Sequence, residues 1–316
     1  MMNTKKKAEG DFTLCIVGLG LMGASLAMAL RGFHDAQIIG LNRSEESIDR
    51  ALQDGVIDEG FSWVCRKNAV IEALRRSDLV IVCLYAGAAL DFFRDYARYG
   101  KPGSVWSDVT GVKESFAQRV LPYLPEGVDF LGAHPMAGRE CNGYESAIPD
   151  LYQGCNYILV PRPNNRPESL ALLREMTEYV GAARITIADA AQHDNMIAFT
   201  SQMAHVLASA IVQNPRLFPS EGFEGNSFGD LTRVARGISG EMWSELFVLN
   251  KRALCDVLSE LEGEIRQMRQ QIETGDEAGI RRTLQSTSER KERWESARAE
   301  RVAAQQKQEE AIHAER

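Results

Sequence analysis

The residues able to do chemistry in this chain fall in one glycine run and a few short polar segments. Gly18-Leu19-Gly20-Leu21-Met22-Gly23 has the spacing that turns a strand into a helix and brings backbone N–H groups up to a pyrophosphate. Gly18 serves the tight turn, Gly20 the close approach and Gly23 the helix–strand packing, and Leu21 and Met22 between them are candidate cofactor contacts. About 20 residues on, an NAD site would place an Asp or Glu for the ribose hydroxyls. This chain has Asn42-Arg43-Ser44 instead: a neutral hydrogen-bonder, a guanidinium and a hydroxyl, which together suit a 2′-phosphate. NADP is therefore favoured, with NAD as the alternative. His134 is the one histidine of five placed directly at a strand end, and Pro135 holds it extended. An imidazole so placed can take a proton from a substrate hydroxyl as the hydride leaves. Asp108, a candidate cofactor contact, and Thr110, a candidate substrate contact, lie in Ser107–Lys113, at the end of another strand. Asp194, Ala198, Ser201/Gln202 and His205 share one helix face, a polar stripe that needs partners once buried. Arg233 sits in the apolar stretch Phe228–Arg236, where a buried guanidinium needs an anion. Each has a plainer alternative: His134 as a turn cap, the stripe as a satisfied core network, Arg233 as the ion-pair partner of Asp230.

These segments need a scaffold, and the first half of the chain supplies the pattern of one. Strands are expected at Phe12–Val17, Gln37–Leu41, Asp78–Leu84, Ser104–Ser107 and Val128–Gly132, with helices at Met22–Arg31 and Glu45–Asp54. The continuous apolar run at 78–84 is that of a strand buried on both faces. Two last strands, Cys155–Val160 and Arg184–Ile187, flank a helix at Pro167–Val180. The alternation implies right-handed crossovers and a doubly wound parallel sheet, an α/β fold of Rossmann type. Ligands in such sheets bind outside the carboxyl ends of the strands, where His134 and Asp108 fall.

After Asp189 the strand signal ends and helices follow. The expected organisation is a flexible segment 1–11, a nucleotide-binding domain 12–188 and an all-α domain 189–316. Leu254, Leu258, Leu261, Ile265, Met268 and Ile272 repeat with 4-3 spacing, a seam that serves either the chain's own core or a dimer interface. Gly275 and Gly279 are expected to break it ahead of a charged helix from Ser286 to about Ala311.

Composition excludes partners. A net charge of −8 disfavours binding to a nucleic-acid backbone or an anionic membrane. Residues 264–316 carry 11 basic and 11 acidic side chains, so the excess acid lies in residues 1–263. With mean hydropathy of −0.25 and no apolar run near ~20 residues, a bilayer span is not expected. No secretory signal is legible in MMNTKKKAEGDF, so the cytoplasm is the expected location. The six cysteines form no Cys-x-x-Cys pair and read as reduced, mostly buried thiols. No histidine is spaced with a cysteine for zinc, and no metal is expected.

GLGLMG, SDVTGVKESF, FLGAHPMAGRECNGYESAIPDLYQGCNYILVP, HDNMIAFTSQMAHVLASA and FGDLTRVARGISGEMW, in this order and spacing, resemble the prephenate dehydrogenases from about Phe12 to Ile272. The resemblance implies a Rossmann-type domain with a helical dimerisation domain. It implies oxidative decarboxylation of prephenate to 4-hydroxyphenylpyruvate in tyrosine biosynthesis, with arogenate as the alternative substrate. The family's catalytic histidine falls on His134 and its substrate-carboxylate arginine on Arg233, while Glu140 would sit at the cleft mouth. Where many members carry a serine that orients the histidine, this chain has Gly111, leaving Thr110 or Ser107 to take its place. Where many have two histidines in the first helix of the second domain, here stand Gln202 and His205.

Two other functions compete. A β-hydroxyacid dehydrogenase would put a catalytic Lys on that helix, and no Lys occurs between Lys113 and Lys251. A non-catalytic NADP(H)-binding sensor would bind cofactor and leave prephenate and arogenate untouched.

Overall fold

The computed structural model describes residues 12–139 and 141–314. Strand β1 (Thr13–Val17) runs into helix α1 (Leu21–Ala29), then β2 (Gln37–Asn42) and α2 (Glu45–Gln53). Next come β3 (Glu59–Ser62), α3 (Lys67–Arg76), β4 (Leu79–Val82), α4 (Ala86–Tyr96), β5 (Val105–Asp108), α5 (Glu114–Val120) and β6 (Asp129–Phe130). These six strands form one parallel sheet in the order β3-β2-β1-β4-β5-β6. That is the dinucleotide-binding order, with its reversal point between β1 and β4. Alternate residues of each strand serve opposite faces. Leu14 and Ile16 join a core layer with Leu26, Ile38 and Ile81, while Cys15 and Val17 join one with Val80, Phe93, Trp106 and Phe116.

The run Val128–Gly132 is not one strand. Chain direction changes at buried Leu131, and β7 (Gly132–Pro135) leaves the parallel sheet to pair antiparallel with β8 (Asn156–Val160). Strand β9 (Arg184–Ile187) lies parallel to β8, with α6 (Pro167–Tyr179) crossing between them. A β-carbon at Gly132 would sit 2.9 Å from Cδ of Lys113, so the switch residue must be small. Strand β3 and helix α3 have no counterpart in the sequence expectation, because Glu59–Ser62 has neither an apolar run nor clean alternation.

After Asp189 only helices follow among the described residues. Asp189 caps α7 (Ala190–Ile197) by accepting from the Gln192 N–H. A π-turn at Ala198–Gln202 links it to α8 (Met203–Val212), followed by α9 (Asn226–Thr232), α10 (Gly240–Leu249) and α11 (Lys251–Glu273). The run Ala190–Val212 is long and apolar enough to cross a membrane, with mean hydropathy 1.2 and 22% of it buried. Composition alone therefore does not exclude a span.

One compact unit extends to Val257 and another comprises Leu258 onward. In the latter, Gly275 at φ +67° ends α11, and Asp276 caps α12 (Glu277–Ala314) through the Gly279 N–H at 2.9 Å. Gly279 thus lies inside the first turn of α12 and does not break it. The last helix begins nine residues earlier than its charge pattern suggests. No two of the six cysteines are joined by a disulfide, but only Cys15 is fully buried; Cys65 and Cys255 are exposed.

Candidate active site

A cavity of about 1010 Å³ opens at the carboxyl ends of β1, β4, β5 and β7 and is closed on its far side by residues of α8 and α10. At one end lies the glycine turn. Gly18 has φ +94°, and a β-carbon there would sit 2.6 Å from the Cys83 carbonyl. At Gly23 an added β-carbon would fall 1.8 Å from the Gly18 carbonyl, so α1 can pack only on a glycine. Gly20 is different: nothing lies within 4 Å of its missing side chain, and it caps α1 without a side-chain hydrogen bond. The first-turn N–H groups of α1 therefore face the cavity with no protein side chain on them, as a pyrophosphate cradle requires.

Gly18, Gly20, Leu21, Met22, Asn42 and Arg43 all line this end. The Asn42 carboxamide also braces the turn, accepting from the Leu19 N–H at 3.3 Å. Arg43 is exposed, its carbonyl held by the Ser62 hydroxyl at 3.0 Å. Ser44 does not reach the cavity: its hydroxyl caps α2 by accepting from the Ser47 N–H. Asp108 does not reach it either. It is fully buried beneath the wall, with Oδ2 accepting from Lys113 Nζ at 2.5 Å, from the Thr110 N–H at 2.9 Å and from the Thr110 hydroxyl. Burial pushes the Lys113 ammonium below its ordinary range, and Asp108 works against that shift. The pair is a structural brace under the loop, not a cofactor contact.

His134 lies at the other end, on β7, where Ala133 faces the core and the imidazole faces the cavity. Pro135 pairs with Tyr157 in register, and the N–H that proline lacks is made up by Met136, which donates to the Asn156 carbonyl at 2.8 Å. The polar partner of the ring is His193: His134 Nδ1 stands 2.9 Å from His193 Nε2. His193 Nδ1 in turn stands 2.7 Å from Asp194 Oδ1. Neither expected hydroxyl fills this place. Ser107 donates to the Leu131 carbonyl at 2.7 Å, and Thr110 is tied to Asp108 and Lys113. Burial is the main cause that depresses the His134 imidazole well below its ordinary value, aided by His193 and Lys113. At neutral pH it is an unprotonated base.

The stripe on α7 and α8 splits. Asp194 turns inward, accepting from the backbone N–H groups of Lys113 (2.8 Å) and Glu114 (2.9 Å) at the start of α5. Gln202, in the π-turn, lines the cavity. Its Oε1 accepts from Asn250 at 2.8 Å, which leaves Nε2 as a buried donor with no partner among the described residues. His205 also lines the cavity, its ring stacked on Trp243 at 3.7 Å and Nδ1 bound to the Ser201 carbonyl. Arg233 and Arg236 line the same wall. Arg233 is exposed and not buried in its apolar stretch, because the chain there is a short turn after α9 that presents it to the opening. Glu140 lies outside the described residues. His193, Asn250 and Trp243 were not singled out from sequence; the His193-Asp194 dipeptide beside a polar helix face was the signal available.

The chain matches two family models, "Prephenate dehydrogenase, nucleotide-binding domain" over residues 26–186 and "Prephenate dehydrogenase, dimerization domain" over residues 189–286. A prephenate dehydrogenase of Bacillus subtilis is 27% identical over 284 residues, covering 88% of this chain and 74% of the relative. A cyclohexadienyl dehydrogenase of Zymomonas mobilis is 28% identical, covering 83% of this chain and 89% of the relative. Among solved structures, prephenate dehydrogenase from A. aeolicus in complex with hydroxyphenyl propionate and NAD+ superposes with a TM-score of 0.79 at 26% identity, covering 90% of this chain and 99% of that one.

Proposed function

The chain belongs to the prephenate dehydrogenase family, and from that premise we propose that it oxidatively decarboxylates prephenate to 4-hydroxyphenylpyruvate, the dehydrogenase step of tyrosine biosynthesis. The observation that carries this reading is the seating of a neutral His134 in one cavity with the glycine turn and Arg233. A bound nicotinamide dinucleotide supplies the hydride acceptor. The N-terminus of α1 with Gly18 and Gly20 would hold its pyrophosphate, and Arg43 its ribose end.

His134 Nε2 accepts the proton of the ring hydroxyl as the hydride leaves the same carbon. The bond to the ring carboxylate then breaks, its electrons aromatise the ring, and CO2 departs. The proton returns to the phenolic oxygen, which a base of depressed pKa gives up readily. Arg233 pairs with a substrate carboxylate. The Gln202 Nε2 donor suits a keto or carboxylate oxygen and offers nothing to an ammonium, which favours prephenate over arogenate. Arg43, with no acid at the end of β2, favours NADP over NAD.

A second copy of this chain is the proposed partner. Phe199 is 56% exposed and Met196 53% on the helical half, an apolar surface that an isolated chain would leave wet. The test of function is a matrix of prephenate and arogenate against NADP and NAD, read as cofactor reduction. Prephenate with NADP is expected to be the best pair, and Arg43→Ala to lose the cofactor preference. Silence in all four combinations would return the chain to a cofactor-binding sensor.

A further inference from the structure

His193 and Asp194 do not touch the cavity, yet they stand in line behind the base. His193 is 1% exposed and Asp194 4%, on the first turns of α7. The Asp194 carboxylate receives three donors: the N–H groups of Lys113 and Glu114, and Nδ1 of His193. A ring nitrogen facing a carboxylate must carry the hydrogen, so the His193 proton is on Nδ1. Its Nε2 is then a lone pair, which only an N–H on His134 Nδ1 can meet at 2.9 Å. The nitrogen left to His134 on the cavity side, Nε2, is therefore the unprotonated one.

We propose that His193 and Asp194 are positioning residues for the proton transfer: they fix the tautomer and ring plane of His134 and share the positive charge it gains on holding the substrate proton. This rests on the prephenate reading. Two further observations support it. On the other side of the ring stands Gly111, whose missing β-carbon would lie 3.7 Å from His134 Cε1, so no hydroxyl there holds the imidazole. The charged groups around the chain are Asp108 at the end of β5, Lys113 ahead of α5 and Asp194 on α7. Burial depresses His193 as it does His134, with Lys113 adding to the shift and Asp194 and Asp108 opposing it. Both rings are neutral at rest, as the hydrogen-bond order requires.

Nitrogen-15 NMR of the histidines in the unliganded enzyme should find the His134 proton on Nδ1. In Asp194→Ala the acceptor that keeps the His193 hydrogen on Nδ1 is gone, so the His134 proton should no longer be confined to Nδ1. With cofactor and prephenate, His193→Phe should lower kcat about 100-fold, with KM and cofactor Kd changed less than about threefold. The acid limb of its pH profile should also move, since His193 is one of the groups that set the His134 pKa. His193→Gln, whose amide can accept from His134 and donate to Asp194, should recover about tenfold of the loss. Wild-type kcat and pH profile in His193→Phe, or a resting His134 with its proton on Nε2, would overturn the relay. Should His193→Phe not fold, His193→Ala decides, because an unchanged kcat and acid limb there count equally against it. Should the wild type not turn over prephenate, the reading of function fails while the NMR tautomer still tests the chain.

Discussion

An imidazole and a guanidinium in one cavity fail differently when removed. His134→Asn takes away the base that acts only as the hydride leaves, so kcat should fall by about 10²- to 10⁴-fold while cofactor binding survives. Arg233→Gln takes away an ion pair made equally in ground and transition states, so KM should rise with kcat largely kept. Steady-state kinetics on both variants, with cofactor titration by fluorescence, checks the contrast. Unchanged turnover in His134→Asn would remove that residue from the role. An unchanged KM in Arg233→Gln would leave Arg233 as part of the wall. His134 was legible in the sequence because a strand end followed by proline has few other uses. His193 was not, because only the fold shows that a helix 59 residues later points one ring at another.

At the scale of elements, the seat of the cofactor depends on α1 lying against the turn that precedes it. The 1.8 Å between a Gly23 β-carbon and the Gly18 carbonyl is a clash with backbone, which cannot move without shifting the strand or the helix. Gly23→Ala should therefore cost about 3 kcal/mol or more and lower Tm by roughly 6 °C or more, with cofactor affinity reduced in the folded fraction. Differential scanning calorimetry with and without cofactor checks it, and a wild-type Tm would sink the packing argument. Helix α1 was readable from the glycine turn that opens it and α2 from its amphipathic period. The β6–β7 break was not, because the five residues 128–132 look like one strand until the tertiary structure sends their two halves to different sheets. The π-turn at Ala198–Gln202 escaped for a similar reason, since regular helical spacing carries no mark of one wide turn.

For the whole molecule, the exposed apolar side chains of the helical half lead to a mass prediction. Sedimentation should give about 70 kDa, twice the 35.1 kDa of one chain. Phe199→Asp should shift the species toward one copy. A monomer at micromolar concentration in the wild type would refute the proposed dimer. The 4-3 stripe bears on the same question: Leu254 is 5% exposed but Ile265 54% and Ile272 62%, so the seam leaves the chain's own core along its length. The core alternative holds at Leu254, and the interface alternative is what the mass measurement tests for the exposed part.

What the sequence determined by itself was local: most of the strands, helices α1, α2 and α6, the glycine turn, the proline-restrained histidine and the residues carrying the family resemblance. Each is written in neighbouring residues, through propensity, period or φ/ψ demand. Only the tertiary structure decided that Asp108 is sealed under Lys113, that Ser44 caps a helix, that Arg233 stands at an opening and that His193 and Asp194 back His134. Burial and hydrogen-bond partners arise from contacts between distant segments, and a side chain's type alone does not say which of its neighbours will satisfy it.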